Sequence, residues 1–491
     1  MMCANSLWAL DIPDIFSDNM MLQQQAEAKM WGWAKKSSTV KITTSWDGKQ
    51  YSTTADKKTG RWDVKVSTPA ASFSNYTITV EGDGETHVIK NVLVGEVWFC
   101  SGQSNMEMPL GGFWNCPVEG ANEAIAESGK YKDCIRVATV DHQDALEPKA
   151  TVGGKWDICE PANAGKFSAC AYFFARTLTD LLGVPVGVIN CSWGGSAVEG
   201  WMPMEILLTY PDKLVNMDNE SYHRKMVMYY GMICPLAGYT IKGFLWNQGE
   251  SNVGRPADYI ERFSTMTRHW REIWNQPGDK LPIYSVELPP FVYGDGINGT
   301  TGPEFRVAQH QIPKVLENSG CVSTADLIYD HEKNQIHGCK KMEIGQRLAY
   351  MAAVKDYGMQ GIVCDAPEFD FLKKVDATAD DNTVIAGSKV ASQNVSGQVL
   401  HLYFSNSTDG FDRMSDISGF EAQDADGNWH DAIVWASSAW QNVERQGCFL
   451  KLACPEIKEI KAVRYLYKNF VKGELHNMRG LPVVPFMAEV K

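Results

Sequence analysis

Between Val92 and Met108 the chain reads Val-Leu-Val-Gly-Glu-Val-Trp-Phe-Cys-Ser-Gly-Gln-Ser-Asn-Met-Glu-Met. The first half is β-branched, aromatic and apolar, the composition of a strand buried on both faces. It runs directly into Ser101-Gly-Gln-Ser-Asn105, whose small and polar residues end the strand. A serine at the tip of a buried strand has what an isolated hydroxyl lacks, a fixed position beside free backbone N–H groups. Spacing alone does not choose between Ser101 and Ser104, and a turn that only caps the next helix uses the same residue types.

Two further turns have the same character. Cys191-Ser-Trp-Gly-Gly-Ser196 follows the apolar run Val184-Pro-Val-Gly-Val-Ile-Asn190, and Asn247-Gln-Gly-Glu-Ser-Asn252 follows Ile241-Lys-Gly-Phe-Leu-Trp246. Adjacent glycines such as Gly194 and Gly195 turn backbone N–H groups toward a ligand with no Cβ in the way, which is what an oxyanion hole requires. Gln248 offers a side-chain N–H for the same purpose, and Glu250 a group to orient it or the backbone nearby.

The rest of the chain supplies a frame for these turns. Short alternating runs at 28–33, 39–45, 62–66 and 76–80 predict an antiparallel β module over residues 1–90. From 91 to 362 strands alternate with amphipathic helices: helices over 168–182, 256–274 and 342–354, strands over 281–288 and 321–326. This is the grammar of a mostly parallel sheet covered on both faces, in which ligands meet the carboxyl ends of the strands. β patterning returns at 397–404, 449–452 and 462–467, predicting a C-terminal β module over 363–491, with the N-terminal one as its candidate packing partner.

Composition narrows the function. A net charge of −13 disfavours nucleic acid or an acidic membrane surface as partner. No apolar run approaches the roughly 18 residues of a membrane helix. The first ten residues lack the basic and long apolar regions of a secretory signal. Thirteen cysteines with no Cys-x-x-Cys pair give neither a zinc pattern nor a disulfide framework, so most are read as buried thiols, with a few disulfides compatible with export.

Gly102-Gln-Ser-Asn-Met106 after a hydrophobic strand resembles the first motif of the sialate O-acetylesterase-like family of SGNH-type carbohydrate esterases. Asn247-Gln-Gly-Glu250 resembles its Trp-Tyr-Gln-Gly-Glu motif, with Asn247 in the tyrosine's place, and Ile336-His-Gly-Cys-Lys-Lys-Met-Glu-Ile-Gly345 its Ile-His-Pro-x-x-Lys-x-x-x-Gly block, with Gly338 for proline. Outer blocks at 13–20 and 480–486 extend the likeness nearly end to end. The resemblance implies an SGNH-hydrolase-like three-layer αβα domain flanked by β-sandwich-like modules. It makes Ser104 the nucleophile and His337 the base, histidine being the side chain that exchanges protons near neutral pH.

The implied oxyanion hole comprises Ser104, Gly194 or Gly195, and Gln248, with Gln103, Asn105, Glu250 and Asn334 in support. Many such enzymes carry an aspartate two or three positions before the histidine, where this chain has Gln335 and Asn334. Neither amide neutralises an imidazolium as a carboxylate does, and Asp326, Asp330 and Glu332 lie near in sequence without ranking. The implied reaction is removal of O-acetyl groups from carbohydrates without metal or cofactor, on sialate first and on acetylated xylan or another hemicellulose second. Relatives of this type are commonly exported, so an extracytoplasmic location is expected. A carbohydrate-binding protein with a decayed esterase site is the alternative of another class. Trp114, Trp193 and Trp201, near the motifs, are candidates for sugar stacking.

Overall fold

A single strand of 18 residues, β1 (Glu85–Gly102), carries the first motif at its end. In the computed structural model, residues 10–211, 220–274, 281–377, 383–386, 389–392, 398–412, 417–436 and 449–491 are described. The reading of residues 1–9 as lacking a signal therefore lies outside the described residues. The chain forms two compact units, one of Met1–Ser251, Glu261–Tyr284 and Lys341–Tyr357, the other of Asn252–Ile260, Ser285–Lys340 and Gly358–Lys491.

In the first unit, β1 serves two sheets in succession. Its early part pairs antiparallel with Ser72–Gly82 and parallel with Met21–Gln23. Around it lie the paired strands Thr39–Thr44 and Gln50–Thr54 and the pair Glu27–Trp33 with Arg61–Ser67. From Trp98 onward β1 is flanked on both sides by parallel neighbours. The chain passes through α1 (Ser104–Glu107), β2 (Ile135–Thr139), β3 (Trp156–Ile158), α2 (Ala169–Leu182), β4 (Val186–Ser192) and β5 (Gly243–Asn247), and this unit ends with α3 (Lys341–Lys355). The strand order is β5-β1-β4-β2-β3, parallel except where β3 runs against β2.

Local sequence explains these elements. β4 and β5 are buried at every residue, as expected of strands covered on both faces. Trp98 and Phe99 of β1 and Trp246 of β5 are wholly buried, and each such side chain contributes roughly 1.5–3 kcal/mol. α2 starts where the Ser168 hydroxyl accepts from the Ala171 N–H and stops at Gly183 in the left-handed conformation. It packs against α3, where a Cβ on Gly345 would lie 2.6 Å from Phe173 Cβ and 2.7 Å from the Phe174 nitrogen. Only glycine permits so close an approach.

The second unit holds the helix Thr301–Val315, the strand Ser319–Val322 and a β-rich C-terminal part. Two four-stranded antiparallel sheets there contain Gln398–Ser405 and Phe449–Ala453 in one, Phe420–Gln423 and Ala462–Tyr465 in the other. Leu400, Leu402, Leu450, Ala422, Val463 and Phe486 share one core. The fold is thus mixed α/β, with a central mostly parallel sheet and added β modules. The expected strands and helices fall within a few residues of those observed, but the sequence reading places nothing at β2, β3 or Thr301–Val315. Arg136, buried in β2 with its guanidinium on the Lys132 and Ile135 carbonyls, interrupts the apolar run there. Pro303 and Pro313 do the same within the helix.

Every cysteine among the described residues is a free thiol. Among the same residues no helix is long and apolar enough to cross a membrane.

Candidate active site

The register of three strands builds the site in the first unit. Ser192 of β4 and Asn247 of β5 both pair with Gly102 of β1, so the three strands end side by side. The next residues are Gln103-Ser104, Trp193-Gly194-Gly195 and Gln248-Gly249-Glu250. At the junction Gly102 has φ 135° and a Cβ would lie 2.2 Å from the Asn247 carbonyl oxygen, so only glycine lets β1 turn here.

Side chains then decide which backbone donors remain open. The Gln103 side-chain oxygen Oε1 accepts from the Gly249 and Ser251 N–H groups, each at 3.3 Å. The Ser251 hydroxyl donates to the Gly195 carbonyl at 2.9 Å. The Gly194 N–H donates to Glu107 Oε2. By contrast, the N–H groups of Ser104 and Gly195 have no protein acceptor among the described residues. Of the two glycines considered for the oxyanion, Gly195 is the one with an open donor. Gln248 is buried, with its side-chain nitrogen 3.1 Å from the Ser196 carbonyl. Ser104 is partly exposed, whereas Ser101 is wholly buried with its hydroxyl unpartnered, which separates the two serines.

Behind Ser104 lies a buried polar chain. Lys341 Nζ is 2.6 Å from Asn105 Oδ1, and the Asn105 amide nitrogen donates to Glu250 Oε1. Lysine only donates and a carboxylate only accepts, so the amide between them is oriented by both. Burial pushes the Glu250 carboxyl above its ordinary range, while backbone N–H groups, Asn105 and the Lys341 charge oppose the shift.

On the other side of Ser104, Glu107 Oε1 sits 3.2 Å from His142 Nε2. Burial works against the charged imidazole, but the Glu107 bond and charge outweigh it and hold His142 above its ordinary pKa. Glu107, His142 and Lys341 were not singled out from sequence. Lys341 lies inside the last motif and Glu107 directly follows the first, the one signal available, whereas nothing around His142 marks it.

The candidate base and the polar residues near it in sequence belong to the second unit. The His337 N–H donates to Gln335 Oε1 at 3.1 Å, so this amide serves the backbone of the histidine. Asn334 and Asp330 are exposed, and Asp326 Oδ2 lies 3.3 Å from His476 Nε2. Glu332 is buried and accepts from the Tyr329 and Cys339 N–H groups at 2.8 and 2.9 Å, which shapes the loop before His337. Of the three tryptophans, Trp201 is fully buried and Trp193 stacks on His142, while Trp114 is 90% exposed.

No cluster of His, Cys, Asp or Glu suited to a metal ion occurs among the described residues. Known proteins resemble this chain along most of its length. Human sialate O-acetylesterase is 30% identical over 287 residues, 53% of this chain and 52% of the human protein, so the chain spans about half of that relative. Mouse sialate O-acetylesterase is 25% identical over 421 residues, 74% of this chain and 76% of the mouse protein. The crystal structure of a carbohydrate acetylesterase from Xanthomonas citri superimposes with a TM-score of 0.81 at 29% identity, covering 98% of this chain and 100% of that one. The model of the carbohydrate esterase, sialic acid-specific acetylesterase family matches residues 94–354, more than half of the sequence, and the chain belongs to that family.

Proposed function

We propose that this chain is a carbohydrate O-acetylesterase that works through an acyl-enzyme on Ser104. The observation that carries the reading is the open pair of N–H groups, Ser104 and Gly195, at the common end of three in-register strands. Two open donors at that end, with a partly exposed Ser104, suit the charge that develops on an acetyl oxygen. Family membership and the acetylesterase relatives support the same reaction.

In the proposed sequence His337, matched through its motif, takes the Ser104 proton as Oγ attacks the acetyl carbon. The Ser104 and Gly195 N–H groups, with Gln248, receive the oxyanion. Its collapse breaks the bond to the sugar oxygen, which leaves with the proton from His337. Water, deprotonated by His337, then attacks the acyl carbon and releases acetate and Ser104. Sialate O-acetyl esters are the first substrate to try and acetylated xylan or another hemicellulose the second, with an extracytoplasmic location as part of the proposal.

The test is acetate release from an aryl acetate by the wild type, Ser104→Ala and His337→Ala. Each variant is expected to lose at least about 1000-fold in kcat while folding normally. Undiminished turnover in Ser104→Ala overturns the nucleophile, and no turnover by any form favours a carbohydrate-binding protein.

A further inference from the structure

Glu107 follows Ser104 by three positions on α1, so the two side chains rise on one face of the helix. Its carboxylate reaches the turn after β4, where Oε2 takes the Gly194 N–H and Oε1 meets His142. The site is close-packed: a Cβ on Gly194 would lie 3.1 Å from Glu107 Oε2 and 3.3 Å from Ser104 Cβ. His142 lies flat on Trp193, with ring centroids 4.3 Å apart and planes 6° from parallel, and its Nε2 is also 3.1 Å from the Ser192 carbonyl oxygen. The Glu107–His142 pair therefore holds both residues that precede Gly195, one through its ring and one through its amide.

Such a carboxylate poses an electrostatic problem. An anion beside a developing oxyanion opposes catalysis unless it is neutralised nearby. The groups that face or act on His142 are Glu107, the Ser192 carbonyl, Asp141 and the Trp193 ring, and their balance favours the imidazolium. Glu107 can then shape the turn while its charge is compensated.

We propose that Glu107 is a positioning residue of the oxyanion hole: it occupies the Gly194 N–H and, with His142, fixes the Trp193–Gly195 turn so that the Gly195 N–H faces the acyl oxygen at Ser104. The inference rests on the acyl-enzyme reading above. It accounts for why one amide of an adjacent glycine pair is bonded and the other open.

The experiment is aryl acetate kinetics for Glu107→Ala and Glu107→Gln, with unfolding midpoints and the affinity of a boronic acid, whose tetrahedral serine adduct carries the oxyanion geometry. Glu107→Ala is expected to lose about 30-fold in kcat, somewhat less than deletion of a whole oxyanion donor. KM should stay within about twofold, and boronate affinity should fall by a factor similar to kcat. Glu107→Gln still accepts from Gly194 through its amide oxygen and should recover to within about fivefold of wild-type kcat. Should Glu107→Ala fail to fold, Glu107→Asp, of equal charge but shorter reach, replaces it with the same expectation.

Wild-type kcat in Glu107→Ala overturns the proposal, as does a loss in Glu107→Gln equal to that in Glu107→Ala. A His142→Asn variant as inactive as His337→Ala also overturns it, because His142 would then be the base and Glu107 its partner. Retained turnover in Ser104→Ala instead removes the underlying acyl-enzyme reading, so the two failures are distinct.

Discussion

Replacing Lys341 by methionine tests the polar chain behind Ser104. Lys341 is 2% exposed and its ammonium reaches Glu250 through the Asn105 amide. Methionine fills similar space without charge, leaving the buried Glu250 carboxylate with one fewer source of compensation. Breaking a buried pair typically costs about 3–5 kcal/mol. Glu250 limits that cost by taking a proton, at about 1.4 kcal/mol for each pH unit between solution and its pKa.

The direction of the pH effect follows from linkage. Burial already holds the native Glu250 carboxyl above its unfolded value, so between the two values the native state binds more protons. Its contribution to stability is therefore fullest at acid pH and falls as pH rises through the native pKa. Loss of Lys341 moves the upper end of that window higher. The deficit of Lys341→Met relative to wild type should then be about 1 kcal/mol near pH 5, from the lost bond to Asn105, and about 3 kcal/mol at pH 8.

Urea unfolding followed by tryptophan fluorescence from pH 5 to 8 reads both numbers. The double variant Lys341→Met/Glu250→Gln should keep a flat deficit near 1 kcal/mol, because glutamine accepts from Asn105 without charge. A deficit in Lys341→Met that does not grow with pH, or a double variant no better than the single one at pH 8, refutes the coupling.

Two other substitutions probe packing and substrate reach. Gly345→Ala should destabilise the first unit by about 1–3 kcal/mol in thermal unfolding, since its Cβ would enter Phe173 and the α2 backbone. It should also lower turnover by displacing Lys341 at the start of α3, and wild-type stability would mean that the helices separate freely. Trp114→Ala should leave stability within about 0.5 kcal/mol and aryl acetate turnover unchanged, because the ring is 90% exposed. If that ring stacks on sugar, KM for an acetylated oligosaccharide should rise about tenfold, equivalent to about 1.4 kcal/mol; an unchanged KM removes the stacking role.

The parts legible in the sequence are those whose causes are local. An apolar run ending in small polar residues gives β1 and its turn, and Ser168 with Gly183 brackets α2. The pairing of Ser192 and Asn247 with Gly102 joins segments far apart in the chain, so sequence supplied the turns but not their register. The same holds for Glu107 and His142, where neither residue type nor spacing announces the contact. Lys341 was hidden differently. Beside Lys340, one lysine of an adjacent pair reads as surface charge, yet Lys341 is buried and bonded to Asn105. Before His337, the amide Gln335 turns to the backbone and Glu332 holds the loop, a division that depends on three-dimensional placement.

A sheet edge explains why so many polar side chains gather at the three motif turns. Past Gly102 and Ser192 the Gln103 and Trp193 N–H groups still reach the Asn247 and Gly102 carbonyls at 3.0 Å, but the amides that follow need other acceptors. Gln103 takes those of Gly249 and Ser251, and Glu107 takes that of Gly194. The amides of Ser104 and Gly195 are what this distribution leaves over. On this view the candidate anion site is made by subtraction, with Gln103 and Glu107 taking neighbouring donors and the Ser104 and Gly195 amides left open. A substitution that removes one of these acceptors thus adds a competing donor as well as loosening a turn, which is why Gln103 and Glu107 belong to the specification of the site although neither touches the acetyl group in the proposed reaction.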